Sequence, residues 1–309
     1  MEIQTHVNEV EKIVLSYMPP EEGYARTVLS AMNYTMTAGG KRLRPMLMLE
    51  TYRLFGGDQR IVEPFMAAIE MIHTYSLIHD DLPALDNDDY RRGRKTAHIV
   101  YGEDMAILAG DALLNYAYET AAKAFDLLSD RDNNAPDPKQ EDTDHIRRME
   151  QVIKAYTILA RKPGIYGMIG GQTADVELTG KQLTEEELNY IYENKTGALI
   201  EASMMIGAIL AGAKEEQAAA VEKLAGIVGY AFQIQDDILD IEGSAEELGK
   251  PLHSDEENGK VTYVTIHGLD KAKQDVARMT EEAVEILDTL PGNNQFLREL
   301  ILSLISRSK

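Results

Sequence analysis

The chain has 309 residues of which 44% are apolar, enough to bury a sizeable core, and this excludes a disordered protein. A formal net charge of −21 argues against nucleic acid or an anionic membrane surface as partner, because both would be repelled over most of the molecule. With no cysteine there is no disulfide and no thiolate metal site, which fits a reducing compartment.

Apolar residues recur at three- and four-residue spacing, from Val10, Ile13, Val14 and Tyr17 near the start to Val284, Ile286, Leu287 and Leu290 near the end, whereas strand alternation is scarce. Pairs of helix breakers punctuate the blocks at Pro19-Pro20, Gly39-Gly40, Gly56-Gly57, Pro163-Gly164, Gly170-Gly171 and Pro291-Gly292. The expected fold is all-α, a single domain over residues 1–309 built as a bundle of about ten or more helices. Ser129 to Asp144 is acidic, holds Pro136 and Pro138 and has few apolar residues, so it is expected to be an exposed loop. Thr184 with Glu187, and Ser244 with Glu247, have capping-box spacing and predict two helix starts. The start Met1-Glu2-Ile3-Gln4 lacks a signal-peptide core, and the longest apolar run, Ala202 to Ala213, falls well short of the ~20 residues that span a bilayer. A cytoplasmic location without a membrane partner is therefore expected.

Two aspartate clusters emerge from apolar stretches that should otherwise be core, Asp80-Asp81-Leu82-Pro83-Ala84-Leu85-Asp86 and Asp236-Asp237-Ile238-Leu239-Asp240. Crowded carboxylates repel one another and resist desolvation, so a cation is the usual reason for such a placement. Hard oxygen ligands suggest magnesium, and two clusters suggest several ions clamping a polyphosphate. On a helix Asp236 and Asp240 stack one turn apart, and the apolar lead-in Ile227, Val228, Ala231, Phe232 and Ile234 would bury the preceding turns. Asp80 and Asp86 would diverge on a regular helix, but Pro83 breaks it, and a bend can return Asp86 to the side of Asp80. Either cluster alone reads as an ordinary acidic helix end.

Basic partners change those odds. Gly40-Lys41-Arg42-Leu43-Arg44 and Arg91-Arg92-Gly93-Arg94-Lys95 offer guanidinium forks and a lysine point charge to phosphate, although the second run also neutralises the acids beside it. No GxxxxGK[ST] or GxGxxG pattern is present, so neither ATP nor NAD is indicated.

His73-Thr74-Tyr75-Ser76-Leu77-Ile78-His79 with the first cluster and Arg91-Arg92-Gly93 resembles the first aspartate-rich region of bacterial short-chain trans-prenyl diphosphate synthases. Gly40 to Pro45, Leu108-Ala109-Gly110-Asp111-Ala112-Leu113, Gly170-Gly171-Gln172, Lys195-Thr196-Gly197 and Phe232 to Asp240 are similar to that family's other motifs, in its order. The resemblance implies an isoprenoid synthase fold with helices around a central substrate cavity, and joining of isopentenyl diphosphate to dimethylallyl or geranyl diphosphate. By the same resemblance Asp80, Asp86 and Asp236 hold magnesium, three ions per active site, with Asp81, Asp237 and Asp240 completing the metal set. Arg91, Lys195, Lys250 and Lys260 are implied at the allylic diphosphate, and Gly40, Lys41, Arg44, His73 and Arg92 at isopentenyl diphosphate. Lys195, Thr196 and Gln233 would direct oxygen atoms at the developing cation. A homodimer is implied too. Lys260-Val261-Thr262-Tyr263-Val264 departs from the family pattern, lacking its proline and carrying bulkier side chains.

Tyr75, five residues before Asp80 and beside small Ser76, resembles the aromatic floor of enzymes that stop at fifteen carbons, farnesyl diphosphate; plain core packing is the alternative for its ring. A geranylgeranyl or geranyl product remains the alternative within the family. A terpene cyclase would not need the second diphosphate site of Lys41, Arg44 and Arg92, and a non-catalytic regulatory homologue would be expected to have lost acids from one cluster.

Overall fold

The structure is a computed structural model that describes residues 2–58, 60–128, 138–242 and 261–305. Residues 129–137 of the expected loop, the Ser244 capping pattern, Lys250 and Lys260 lie outside the described residues. Contacts gather the chain into two compact units, Met1–Leu49 with Asp58–Thr157, and Glu50–Gly57 with Ile158–Lys309. The all-α expectation holds, with more than ten helices among the described residues.

The first unit contains α1 (Glu2–Ser16), α2 (Arg26–Met36), the start of α3 (Leu43–Leu54), α4 (Glu63–Asp80), α5 (Ala97–Tyr101), α6 (Glu103–Leu127) and most of α7 (Pro138–Arg161). Helix α4 is its core: Phe65 to Ile72 are all buried, so no face of those two turns meets water. Helix α6 lies along it with a stripe of small residues, Ala106, Ala109, Gly110, Ala117, Ala121 and Ala124, whose spacing matches the helical repeat. At the acidic end of α4 a side chain on Gly110 would run into the His79 imidazole, so glycine there lets the two helices approach. Among the described residues Arg60–Asp80 is long and apolar enough to cross a bilayer, but 78% of its most apolar 18 residues is buried, as befits a core helix. Glu63, Glu70 and His73 interrupt it, which is why no continuous apolar run betrays it in the sequence.

Helix α7 corrects the expected loop, because the helix already begins at Pro138. Proline marks a break inside a helix yet is favoured at the first helical position, where its missing N–H would have had no partner. A two-residue hairpin, Tyr90–Arg91 against Arg94–Lys95, turns through Arg92 (φ 54°) and Gly93 (φ 75°). Two successive left-handed residues give the tight turn that matches strand twist.

Arg42 anchors this unit. Its guanidinium is fully buried and donates to Glu70 Oε1 at 2.7 Å, to Glu11 Oε1 at 3.0 Å and to the Met36 carbonyl at 2.5 Å, joining α4, α1 and the end of α2.

The second unit contains α8 (Met168–Leu178), α9 (Glu185–Ile191), a π-helical turn (Tyr192–Gly197), α10 (Ala198–Leu210), α11 (Glu215–Glu242), α12 (Tyr263–His267), α13 (Leu269–Thr289) and α14 (Gln295–Ile305). The capping box at Thr184 and Glu187 forms as expected. Residues 50–57 join this unit through Asn294, whose amide donates to the Glu50 carbonyl at 3.1 Å and to Glu50 Oε2 at 2.8 Å. The π turn is pressed from two sides by glycines. A Cβ on Gly171 of α8 would collide with the Lys195 backbone, and one on Gly229 of α11 would lie 2.9 Å from the Gly197 Cα. Single π turns recur where a backbone has been re-aimed for function.

Candidate active site

In the first unit α4 ends at Asp80, and the chain then folds back so that the Asp86 N–H donates to the Asp80 carbonyl at 2.9 Å. The return that Pro83 suggested is therefore made, with Asn87 (φ 53°) closing the turn. The acids of this cluster differ in setting. Asp80 is half-buried and Asp86 exposed, whereas Asp81 is only 3% exposed and accepts from Arg91 Nε and Nη2, both at 2.6 Å. Burial pushes the Asp81 carboxyl up and the Arg91 charge pulls it back.

Beside that pair stands a crowd of cations. Arg44 is lowered to about 10, by burial first and then by the Arg92 charge, with Glu70 opposing. Arg92 is lowered by burial, and Arg42 and Arg91 add to the effect. His73 is held well below its usual range by burial and then by Arg44, Arg92, Arg91 and Arg42 in turn, so it is neutral at pH 7. Arg44 Nε is buried with no hydrogen-bond partner among the described residues. Arg92, strained into a left-handed turn, donates to the Gly39 carbonyl, and a Cβ on Gly40 would lie 2.5 Å from its Nη1. Lys41 is exposed nearby in sequence. Mutually repelling cations gathered at one place form a site arranged for an anion.

Tyr75 is 6% exposed, stands edge-on to His79 at 5.8 Å between ring centroids, and its buried hydroxyl has no hydrogen-bond partner among the described residues. Burial raises that phenol to about 12. Ser76 is half-buried, its hydroxyl donating to the His73 carbonyl at 2.9 Å. His98 is buried against Thr96 at 3.1 Å, an ordinary core histidine.

In the second unit a cleft of about 100 Å³ is lined by Lys195, Thr196, Gln233 and Asp237, together with Asp175 and Thr262. Three sequence-predicted residues thus meet one another and one of the acids. Lys195 Nζ donates to Asp175 Oδ2 at 2.5 Å, and Thr196 Oγ1 donates to Gln233 Oε1 at 2.9 Å. Asp236 is half-buried, while Asp237 and Asp240 are each 3% exposed. Asp237 Oδ2 accepts from the Tyr192 hydroxyl at 2.5 Å and from the Tyr263 N–H at 2.9 Å. Among the described residues no three acids or histidines converge on one point. Asp175 and Tyr192 were not singled out from sequence. The signal for Asp175 is its position one helical turn after Gly171; Tyr192 has none, because only the π turn aims it at α11.

A family model described as polyprenyl synthetase matches residues 25–294. The chain belongs to the polyprenyl synthetase family. It is 44% identical over 287 residues to a farnesyl diphosphate synthase of Geobacillus stearothermophilus, covering 92% of this chain and 90% of the relative. It is 42% identical over 259 residues to a geranylgeranyl diphosphate synthase of Cyanophora paradoxa, covering 84% and 80%. A solved Helicobacter pylori geranyltransferase, complexed with magnesium and isoprenyl diphosphate, superposes with a TM-score of 0.78 at 30% identity over 98% of this chain and 95% of that one. This polyprenyl synthetase is accordingly a short-chain trans-prenyl diphosphate synthase, a prenyltransferase of isoprenoid biosynthesis with the all-α isoprenoid synthase fold.

Proposed function

We propose that the chain makes farnesyl diphosphate, joining isopentenyl diphosphate to dimethylallyl and then geranyl diphosphate. The observation that carries the two-diphosphate reading is the cation crowd of Arg44, Arg91, Arg92 and neutral His73 in a chain of net charge −21. A single-substrate cyclase has no use for it. Lys41, Arg44, His73 and Arg92, with the Gly40 backbone, bind isopentenyl diphosphate, and neutral His73 donates a hydrogen bond without adding to the local charge. Arg91 and Lys195 bind the allylic diphosphate, with Lys250 and Lys260 as further contacts.

The acids fit magnesium. They offer oxygen alone, and the partial exposure of Asp80 and Asp236 and the exposure of Asp86 support these three as the ligands. Magnesium takes one or two carboxylates per ion and fills its octahedron with phosphate and water, so a cage of three acids is not required. Three ions shared with the diphosphate suit this donor set, and when bound they make diphosphate a competent leaving group. The allylic C–O bond then breaks with its electron pair leaving on diphosphate, the isopentenyl alkene forms the new C–C bond, and a proton departs with the released diphosphate. Thr196 and Gln233 present oxygens toward the cation, which the hydrogen bond between them keeps in place.

Tyr75 supports the fifteen-carbon product, because a buried phenol without a partner is tolerated where the bulk of its ring is what counts. The relatives named as geranylgeranyl synthases make a twenty-carbon product the second reading. The test supplies Mg²⁺, isopentenyl diphosphate and one of dimethylallyl, geranyl or farnesyl diphosphate, and reads chain length by mass spectrometry. Fifteen carbons in wild type and longer chains in Tyr75→Ala are expected; twenty carbons in wild type would reject Tyr75 as the floor, and no condensation would reject the enzyme reading.

Exposed Ile99 and Val100 on α5 and Ile107 and Leu108 on α6 supply an apolar surface for the second copy of a homodimer. A monomeric mass by light scattering would remove that assignment.

A further inference from the structure

Asp237 belongs to the second acid cluster, yet its carboxylate is turned into the protein. Oδ2 receives both the Tyr192 hydroxyl and the Tyr263 N–H, and the same N–H also reaches the Tyr192 oxygen at 3.1 Å. All three groups are buried. They come from three elements: Tyr192 opens the π turn three residues before Lys195, Asp237 follows Asp236 on α11, and Tyr263 opens α12. Aromatic packing holds the phenol in place. The Tyr192 ring lies 5.7 Å from Tyr230, Tyr230 meets Tyr263 edge-on at 6.2 Å, and the Tyr230 hydroxyl donates to Asn189.

We infer that Tyr192 is a positioning residue, its phenol fixing the second aspartate cluster in register with Lys195 and Thr196 while Asp237 serves as its partner in that clasp. The inference rests on the reading that this cluster serves a substrate diphosphate. A charge-assisted hydrogen bond from a rigid donor specifies direction as well as energy. With Asp237 held by two donors, the last turns of α11 cannot rotate without breaking both bonds, and Asp236 keeps its bearing. Without the phenol O–H, the buried Asp237 carboxyl loses the side-chain donor that fixes the direction of Oδ2 and is held less tightly.

The experiment compares Tyr192→Phe, Asp237→Asn and the double variant, measuring kcat, KM for each substrate, the Mg²⁺ concentration for half-maximal rate, and thermal midpoint. Tyr192→Phe retains the ring and loses only the hydroxyl. The expected result is a loss of about tenfold in kcat/KM for the allylic diphosphate, the scale of one charge-assisted bond, with a raised Mg²⁺ requirement and an unchanged KM for isopentenyl diphosphate. Asp237→Asn should resemble it, and the double variant should be no worse than the poorer single one. A loss in Asp237→Asn far exceeding that in Tyr192→Phe would make Asp237 a direct metal ligand and overturn the inference, as would a Tyr192→Phe variant that only melts earlier. Calorimetric titration with Mg²⁺ and inorganic diphosphate separates the two readings, because it needs no turnover. Weaker binding by Tyr192→Phe in a wild type that binds but does not condense would uphold the inference and reject the synthase reading. Equal binding by the two proteins, or none by wild type, would overturn the inference.

Discussion

The two aspartate clusters solve one problem by different means. Each contains a buried inner acid, Asp81 in the first and Asp237 in the second, and each inner acid is held by the protein itself. Asp81 is paired with a full positive charge, Arg91, whereas Asp237 accepts from a phenol and from a backbone N–H. The first cluster is thereby partly neutralised at Asp81. A charged partner gains more Coulomb attraction but is costly to bury, and a neutral one fixes direction without altering the field. The difference suits neighbours of different kinds: a cation-rich pocket beside the first cluster and the small cleft of Lys195, Thr196 and Gln233 beside the second.

The comparison holds only if the outer acids do the same work, so the largest expected effect is common to both halves. Asp80→Ala and Asp236→Ala should each lower turnover by at least about 100-fold, the scale for losing one preorganised electrostatic contact, with circular dichroism unchanged. A variant at either position turning over near the wild-type rate would break the symmetry and remove that acid from the metal set. The inner acids should then differ in stability. Arg91→Met leaves Asp81 buried without its cation and should cost about 3 kcal/mol in denaturant unfolding at neutral pH, against about 1.5 kcal/mol for Tyr192→Phe. Arg91→Met should recover part of its loss in acid, because a protonated Asp81 no longer needs a cation. Equal costs in the two variants would show that the nature of the partner is immaterial.

How far these features could be read from the chain depended on whether they repeat. Helices announce themselves through spacing maintained over many turns, and acids that interrupt an apolar stretch stand out, so the fold class and both clusters were legible. The fold-back after Asp80 was legible too, because Pro83 forbids the alternative. Which acid of each pair turns inward was not. Adjacent helical residues point about 100° apart, so one of Asp80 and Asp81, and one of Asp236 and Asp237, had to face the protein, but the partners that decide it are brought in by a hairpin, for Arg91, and from 45 residues away, for Tyr192. The π turn was invisible because six residues cannot distinguish its period from that of an α-helix. Helix α7 hid behind Pro138, a breaker in most contexts and a starter in this one.

A smaller effect tests the cation pocket through pH. The folded state keeps His73 neutral by holding it below its ordinary value of 6.5, so below about pH 6.5 the unfolded chain binds a proton that the folded one resists. Stability should therefore fall as pH drops through that window and recover as it rises. Thermal midpoints of wild type and His73→Gln across the window measure it, and parallel curves would assign the slope to other groups.

The smallest expected effect concerns the helix that leads into the π turn. The Glu187 N–H donates to Thr184 Oγ1 at 3.3 Å, while Glu187 Oε2 accepts from the Thr184 N–H at 2.8 Å and from its hydroxyl at 2.9 Å. Those bonds lower the Glu187 carboxyl, the backbone one most. Thr184→Ala removes the side-chain half of the box and should cost about 1 kcal/mol, read in denaturant unfolding. Turnover should stay at the wild-type rate, because the π turn is fixed further along the chain, by Gly171 and Gly229 against its backbone and by the clasp of Tyr192 on Asp237. A fall in turnover larger than the loss of stability would mean that the register of Lys195 is set from the start of α9, and the second cluster would then depend on a surface cap as well as on its buried phenol.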